Sequence, residues 1–298
     1  MAKLRMAVIG AGGMAGRHAR LYKDHPRADL VCICDIVEEK ARQQAAQLGC
    51  DYVTDYRRLL DRTDVDAVMV GTPNPLHYRI ALDCLRAGKH TAVEYPIAQT
   101  VEQHDTLYRE ARQRKLVVHH ALTPLREPQA QTVKANLAAI GQVVCMRSAY
   151  FAVCPNTMWY VHSDRRGNFF AALTIHQIVY FNVVLDQSPD WVQGVFHFRE
   201  NPDQNSHAGC FLAHYPGGVY AYNDWGMGFG APSVWEWIIE GDRGRIVYER
   251  PPKQNHRLRI LAGRDEQVAR LALFATAAGG DQQHRPPIEA AQGVAVGR

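Results

Sequence analysis

No apolar run in this sequence approaches the roughly 20 residues that a membrane-spanning helix needs, and "MAKLRM" leads straight into a strand-like segment. The expectation is a chain with neither signal peptide nor transmembrane helix. Blocks of one charge are also missing. The 34 basic and 30 acidic residues leave a net charge of +4, and "DRRG" and "RQRK" are too short and too separated to make a nucleic-acid stripe. Cysteine is sparse and scattered, at positions 32, 34, 50, 84, 145, 154 and 210. This odd set suits a reducing, cytoplasmic setting better than a disulfide framework. No cluster of histidines, cysteines and acids has metal spacing, so no metal is expected. A small-molecule substrate is the partner that remains.

What is present is ordinary globular composition: 298 residues, 47% hydrophobic, with 15 prolines and 23 glycines, enough for two medium domains. Leu4 to Ile9, Leu30 to Cys34, "DAVMVG", "HTAVEY" and "KLVVHH" read as strands, with helices at Met14 to Lys23 and Glu38 to Leu48. This alternation indicates parallel βαβ units over 1–121. From 122 to 298 the pattern changes. Helices at Glu127 to Ala139 and Ala171 to Leu185 flank a long strand, and a run of strands from Trp191 to Leu261 follows, joined by turns such as "YPGG" and "EGDRG". An α/β domain with a largely antiparallel open sheet is expected there. The tail after Gly279 reads as loop, then weak helix.

Gly10, Gly12 and Gly13 follow the first strand and open a helix through Met14 and Ala15. In the G-x-G-x-x-G spacing the third small residue falls on Ala15, an accepted substitute. The helix N-terminus offers N–H donors to a pyrophosphate. Asp35, 25 residues after Gly10, stands where a carboxylate accepts from ribose hydroxyls. It would repel a 2′-phosphate, so NAD is favoured over NADP, and 1–121 reads as a Rossmann dinucleotide-binding domain. "TPNPLH" lies at the same carboxyl edge of the sheet. Thr72, Pro73 and Asn74 are candidates to line the cofactor, while His77 either joins them or caps the next helix.

"KHTAVEYPIAQT" ends a strand with Glu94 and Tyr95 before Pro96, again at that edge. Further on, His176 and Tyr180 share a helical face. "CPNTMWYVHSDRRGN" supplies Trp159, Tyr160, His162, Arg165 and Arg166, and Trp225 lies in a later aromatic strand. Aromatic surfaces with a few directed polar groups suit a planar anionic ligand or a stacked sugar. The bland alternatives are sheet core, interface and exposed arginines.

"GAGGMAGRHA", "TPNPLHY", "AGKHTAVEYPIA", "IGQVVCMRS", "IHQI", "IEGDRGRIVY" and "HRPPIEAAQGV" together resemble the glucose-fructose oxidoreductase / inositol dehydrogenase / rhizopine-catabolism (Gfo/Idh/MocA) family across almost the whole chain. The resemblance implies an NAD(P)-dependent oxidoreductase whose second domain serves the substrate site and assembly into a homodimer or homotetramer. Family members usually carry Glu-Lys-Pro where this chain has Glu94-Tyr95-Pro96, and an aspartate where it has Ala172, four residues before His176. The resemblance thus implies catalytic positions at Tyr95 and His176, with Glu94 beside catalyst and cofactor alike. The biliverdin reductase branch has a Glu-Tyr-Pro version. The expected reaction is hydride transfer to a small organic acceptor. Tetrapyrrole reduction, sugar or cyclitol dehydrogenation and a non-catalytic dinucleotide-bound protein stand as alternatives.

Overall fold

The computed structural model describes residues 2–122, 128–152, 169–199, 206–227, 234–249, 257–262 and 265–269. The first part runs β1 (Leu4–Ile9), α1 (Gly13–Asp24), β2 (Ala28–Cys34), α2 (Glu38–Leu48), β3 (Asp51–Val53), α3 (Arg57–Leu60), β4 (Ala67–Val70), a 3-10 turn at Asn74–Leu76, α4 (His77–Arg86), β5 (His90–Glu94), α5 (Val101–Arg114) and β6 (Val118–Ala121). Its strands form a six-stranded sheet in the order β3-β2-β1-β4-β5-β6, paired in parallel throughout. Order reverses between β1 and β4, so the ends of those strands open a crevice at the carboxyl edge. Ala7, Val8, Cys32, Ile33 and Cys34 are all buried because helices cover both faces of such a sheet.

Local chemistry starts and stops the helices. Thr100 caps α5 by accepting from the Gln103 N–H at 3.2 Å, while Gln103 reaches back to the Gln99 N–H. Gly49 ends α2 in the left-handed region, where a side chain would be strained. No side chain caps α1, and no acid stands in its first turn.

The second part holds α6 (Pro128–Ile140), β7 (Val143–Ala152), α7 (Phe169–Leu185), β8 (Trp191–Arg199), β9 (Ser206–Tyr215), β10 (Val219–Met227), β11 (Val234–Gly241), β12 (Gly244–Glu249), β13 (Arg257–Ala262) and β14 (Asp265–Ala269). The sheet order is β14-β13-β12-β11-β7-β10-β9-β8. Only β7 and β10 run parallel; the other pairs are antiparallel, as the sequence pattern leads one to expect. Ala130, Val133 and Ile140 of α6 and Phe181 and Val184 of α7 pack with Met146, Phe211, Trp237 and Ile246 on one face of this sheet. The opposite face keeps Trp191, Val195, Leu212, Tyr220 and Tyr222 exposed.

Two residues expected to contact substrate are enclosed by the fold. Tyr180, 2% exposed, lies in the second core with its ring 5.4 Å from Trp237 and 6.2 Å from Phe181. Trp225, 1% exposed, is likewise enclosed on the inner side of β10. Among the described residues, no helix is long and apolar enough to cross a membrane.

Candidate active site at the carboxyl edge of the first sheet

The glycine loop between β1 and α1 is built for close approach. Gly10 has φ +110°, and a Cβ there would meet the Gly71 carbonyl oxygen at 2.6 Å, so only glycine fits. A Cβ on Gly12 or Gly13 would meet nothing within 4 Å, so the loop is open above the uncapped N-terminus of α1. Ala15 sits against Gly71 and is fully buried, filling the third small position. Met14 is 45% exposed beside the opening. Asp35, at the end of β2, accepts from the Ala11 N–H at 2.8 Å and the Val37 N–H at 2.9 Å, which leaves other carboxylate lone pairs for a hydroxyl donor. Ile36, 91% exposed, follows it directly.

At the end of β4, Thr72 Oγ1 and Asn74 Oδ1 are buried and lack a hydrogen-bond partner. Orphaned polar atoms at such an edge are what a bound polar ligand satisfies. Together with the open glycine loop, the uncapped helix and Asp35, they fit a dinucleotide. Pro73 holds the turn that presents Asn74. His77, for which the sequence leaves a cofactor contact or a helix cap open, lies between two loops. It is 2% exposed, with Nδ1 2.8 Å from the Pro96 carbonyl and Nε2 2.7 Å from the Thr72 carbonyl. Burial lowers its pKa against the pull of those carbonyls. A neutral ring has one N–H to donate, so it serves one carbonyl at a time while pinning two loops together.

Glu94 ends β5 and is 7% exposed. Its Oε1 accepts from His18 Nε2 at 2.6 Å and its Oε2 from the Tyr95 N–H at 3.3 Å. The Tyr95–Pro96 peptide bond is cis. Tyr95 meets His176 of α7 edge-on, with centroids 4.1 Å apart and planes at 72°. The two expected catalytic rings, from different domains, are thus in contact. Burial, reinforced by the Glu94 carboxylate, pushes the Tyr95 phenol up to about 12, with Tyr150 a lesser neighbour. Burial also pushes His176 down to about 4, with Glu94 opposing. His120 on β6 is pushed down to about 4, chiefly by burial.

His18 and Tyr150 are the neighbours that sequence reasoning did not single out. His18 lies on α1 a turn beyond the glycine loop, and its helical phase toward the sheet edge was the available signal. Trp159, Tyr160, His162, Arg165 and Arg166 lie outside the described residues, as does the side chain of Ala172. Among the described residues, no group of three or more His, Cys, Asp or Glu is placed to hold a metal.

Two family models account for most of the chain: "Oxidoreductase family, NAD-binding Rossmann fold" matches residues 4–122, and "GFO/IDH/MocA C-terminal domain" matches residues 131–247. The chain belongs to the GFO/IDH/MocA oxidoreductase family. It is an NAD(P)-dependent oxidoreductase acting on a small organic substrate. A dTDP-3,4-didehydro-2,6-dideoxy-alpha-D-glucose 3-reductase of Streptomyces violaceoruber is 29% identical, over 92% of this chain and 85% of that protein. A 4-carboxy-2-hydroxymuconate-6-semialdehyde dehydrogenase of Sphingobium sp. is 31% identical, but over only 46% of this chain and 44% of its own length. Biliverdin reductase from Synechocystis sp. PCC 6803, solved with biliverdin and NADP+, shares the fold with TM-score 0.80 at 24% identity, covering 89% of this chain and 84% of that one.

Proposed function

We propose that this enzyme works as a reductase that prefers NADH, with Tyr95 donating a hydrogen bond or proton to the acceptor. The observation that carries this reading is the pair of neutral rings in contact: a phenol pushed up to about 12 and an imidazole pushed down to about 4. At neutral pH Tyr95 keeps its proton and His176 has none to spare beyond its single N–H. A phenol in that state is a poor base for activating an alcohol but a competent donor to a developing anion. The bound dinucleotide supplies the hydride.

The chain's own residues do the rest. The loop from Gly10 to Gly13 and the α1 N-terminus take the pyrophosphate, with Met14 and Ala15 at its rim. Asp35 accepts from a ribose hydroxyl and disfavours a 2′-phosphate by like charge, which supports NAD over NADP. Thr72 and Asn74 offer their unpaired oxygens to the cofactor, and Glu94 sets the turn that delivers Tyr95. His176 shields the phenol and supplies one further hydrogen-bonding nitrogen. Trp159, Tyr160, His162, Arg165 and Arg166 remain candidates for acceptor contacts.

Two acceptor classes follow from the relatives: a nucleotide-linked keto sugar, supported by the 29% match over 92% of the chain, and a bilin, supported by the Glu94-Tyr95-Pro96 turn. The exposed apolar side chains on the outer sheet face support a homodimer or homotetramer built across it. The free cysteines at 32, 34, 50, 84, 145 and 210 suit a reducing cytoplasm. The test is consumption of NADH and NADPH by purified protein against biliverdin and a dTDP-linked 3-keto sugar. We expect one acceptor to be reduced mole for mole, with NADH preferred about tenfold or more, as a repelled phosphate of about 1.4 kcal/mol requires. NAD+-driven oxidation of the matching alcohol outpacing reduction at pH 7, or a preference for NADPH, would contradict the reading.

A further inference from the structure

We propose that His18 is a positioning residue for Tyr95, acting through the Glu94 carboxyl group. The inference rests on Tyr95 being the donor described above.

The geometry is a short relay of contacts from the first helix to the reacting edge. His18 lies five residues beyond Gly13 on α1, the helix whose uncapped N-terminus faces the cofactor loop. Its Nε2–H donates to Glu94 Oε1 at 2.6 Å, a bond joining residues 76 apart in the chain. Its ring stacks with that of Tyr22 one turn further along, with centroids 6.3 Å apart and planes at 25°, which fixes the imidazole plane. Glu94 is 7% exposed, and a carboxyl group so enclosed is costly unless its oxygens are engaged. His18 engages one oxygen with a short bond. The other oxygen is thereby oriented to accept the Tyr95 N–H at 3.3 Å. That backbone bond is long, so the Tyr95 amide depends on the carboxyl plane being held from the far side.

Two features place the consequence at the ring of Tyr95 rather than in general stability. The Tyr95 amide is bonded to Glu94, and the next residue is proline, which has no N–H to hold the turn. The ring itself emerges from this turn against His176 of the second domain at 4.1 Å. A rotation of the Glu94 carboxyl would free the amide and let the phenol leave the edge contact. Displacements of about 1 Å at a reacting group are enough to cost about a hundredfold in rate.

The test compares His18→Gln with His18→Asn in protein labelled with 15N and 13Cζ tyrosine, where 13 tyrosines give a tractable spectrum and Tyr95→Phe assigns the signal. The amide nitrogen of glutamine reaches the place of Nε2, whereas that of asparagine falls short, and both variants remove the ring equally. We expect His18→Gln to keep the Tyr95 amide exchange rate within about twofold and its 13Cζ shift unchanged, while His18→Asn speeds exchange about tenfold and moves the shift. Equal behaviour of the two variants, whether both native or both perturbed, would overturn the proposal. Neither readout needs turnover or an acceptor. A positioned Tyr95 in an enzyme that does not use it would therefore count against its donor role alone and leave the part of His18 standing.

Discussion

Tyr95 and His176 both lie outside the range in which side chains titrate near neutrality, the phenol near 12 and the imidazole near 4, each chiefly through burial. Tyr95 therefore keeps its proton through the neutral range and loses it around pH 12, and His176 is neutral at any pH well above about 4. Acceptor reduction should change by less than about twofold between pH 6 and 10 once cofactor and acceptor saturate. Stopped-flow rates across that interval check this; a loss with an apparent pKa of about 7 to 9 would assign the proton to another group. The residues of this pair were legible in the sequence because local motifs carry them: a strand end before Pro96, and a histidine in "IHQI". The His18–Glu94 bond was not, since a contact across 76 residues leaves no local pattern. Tyr180 and Trp225 show what residue type alone does not give. Their types suit a ligand, and only the fold shows that both side chains are almost wholly buried.

Two loops, the Thr72–Leu76 turn after β4 and the turn after β5, leave paired strands and are tied to each other by His77. The ring stands between the carbonyls of Thr72 and Pro96 and is enclosed. Replacing it by leucine keeps apolar volume but removes the one N–H that the two carbonyls share, at a cost on the order of 1–3 kcal/mol. His77→Leu should lower the urea midpoint accordingly and weaken NADH binding measured by fluorescence. A midpoint and affinity equal to wild type would show that the two loops hold their places without the ring. At this scale the sequence was a good guide wherever an element has a buried apolar stripe: β1, β2, β4 and β5, and α1 and α2, fall where the pattern places them. It was a poor guide at β3 and β14, which carry "DYV" and "DEQVA" and have no apolar run to recognise. β10 continues past a polar interruption to Met227. Asn223 interrupts the apolar pattern there, but its amide donates to Ser148 Oγ at 2.8 Å and stays fully buried.

The whole molecule places its chemistry at the seam of two folding patterns. The parallel sheet and its glycine loop form the dinucleotide crevice, and the second sheet with α7 brings His176 to the ring that the first domain presents. Neither domain alone contains the pair. The glycine loop, Asp35, Thr72, Asn74 and Tyr95 all belong to the first domain, and His176, the ring in contact with Tyr95, belongs to the second. The most direct test is single-turnover reduction by Tyr95→Phe, with saturating NADH and whichever acceptor the wild type reduces. Loss of the hydroxyl alone should slow the turnover about 10² to 10⁴-fold while NADH affinity stays within about twofold. A variant that reduces the acceptor at the wild-type rate would contradict the account, because the phenol at the seam would then have no part in the reaction.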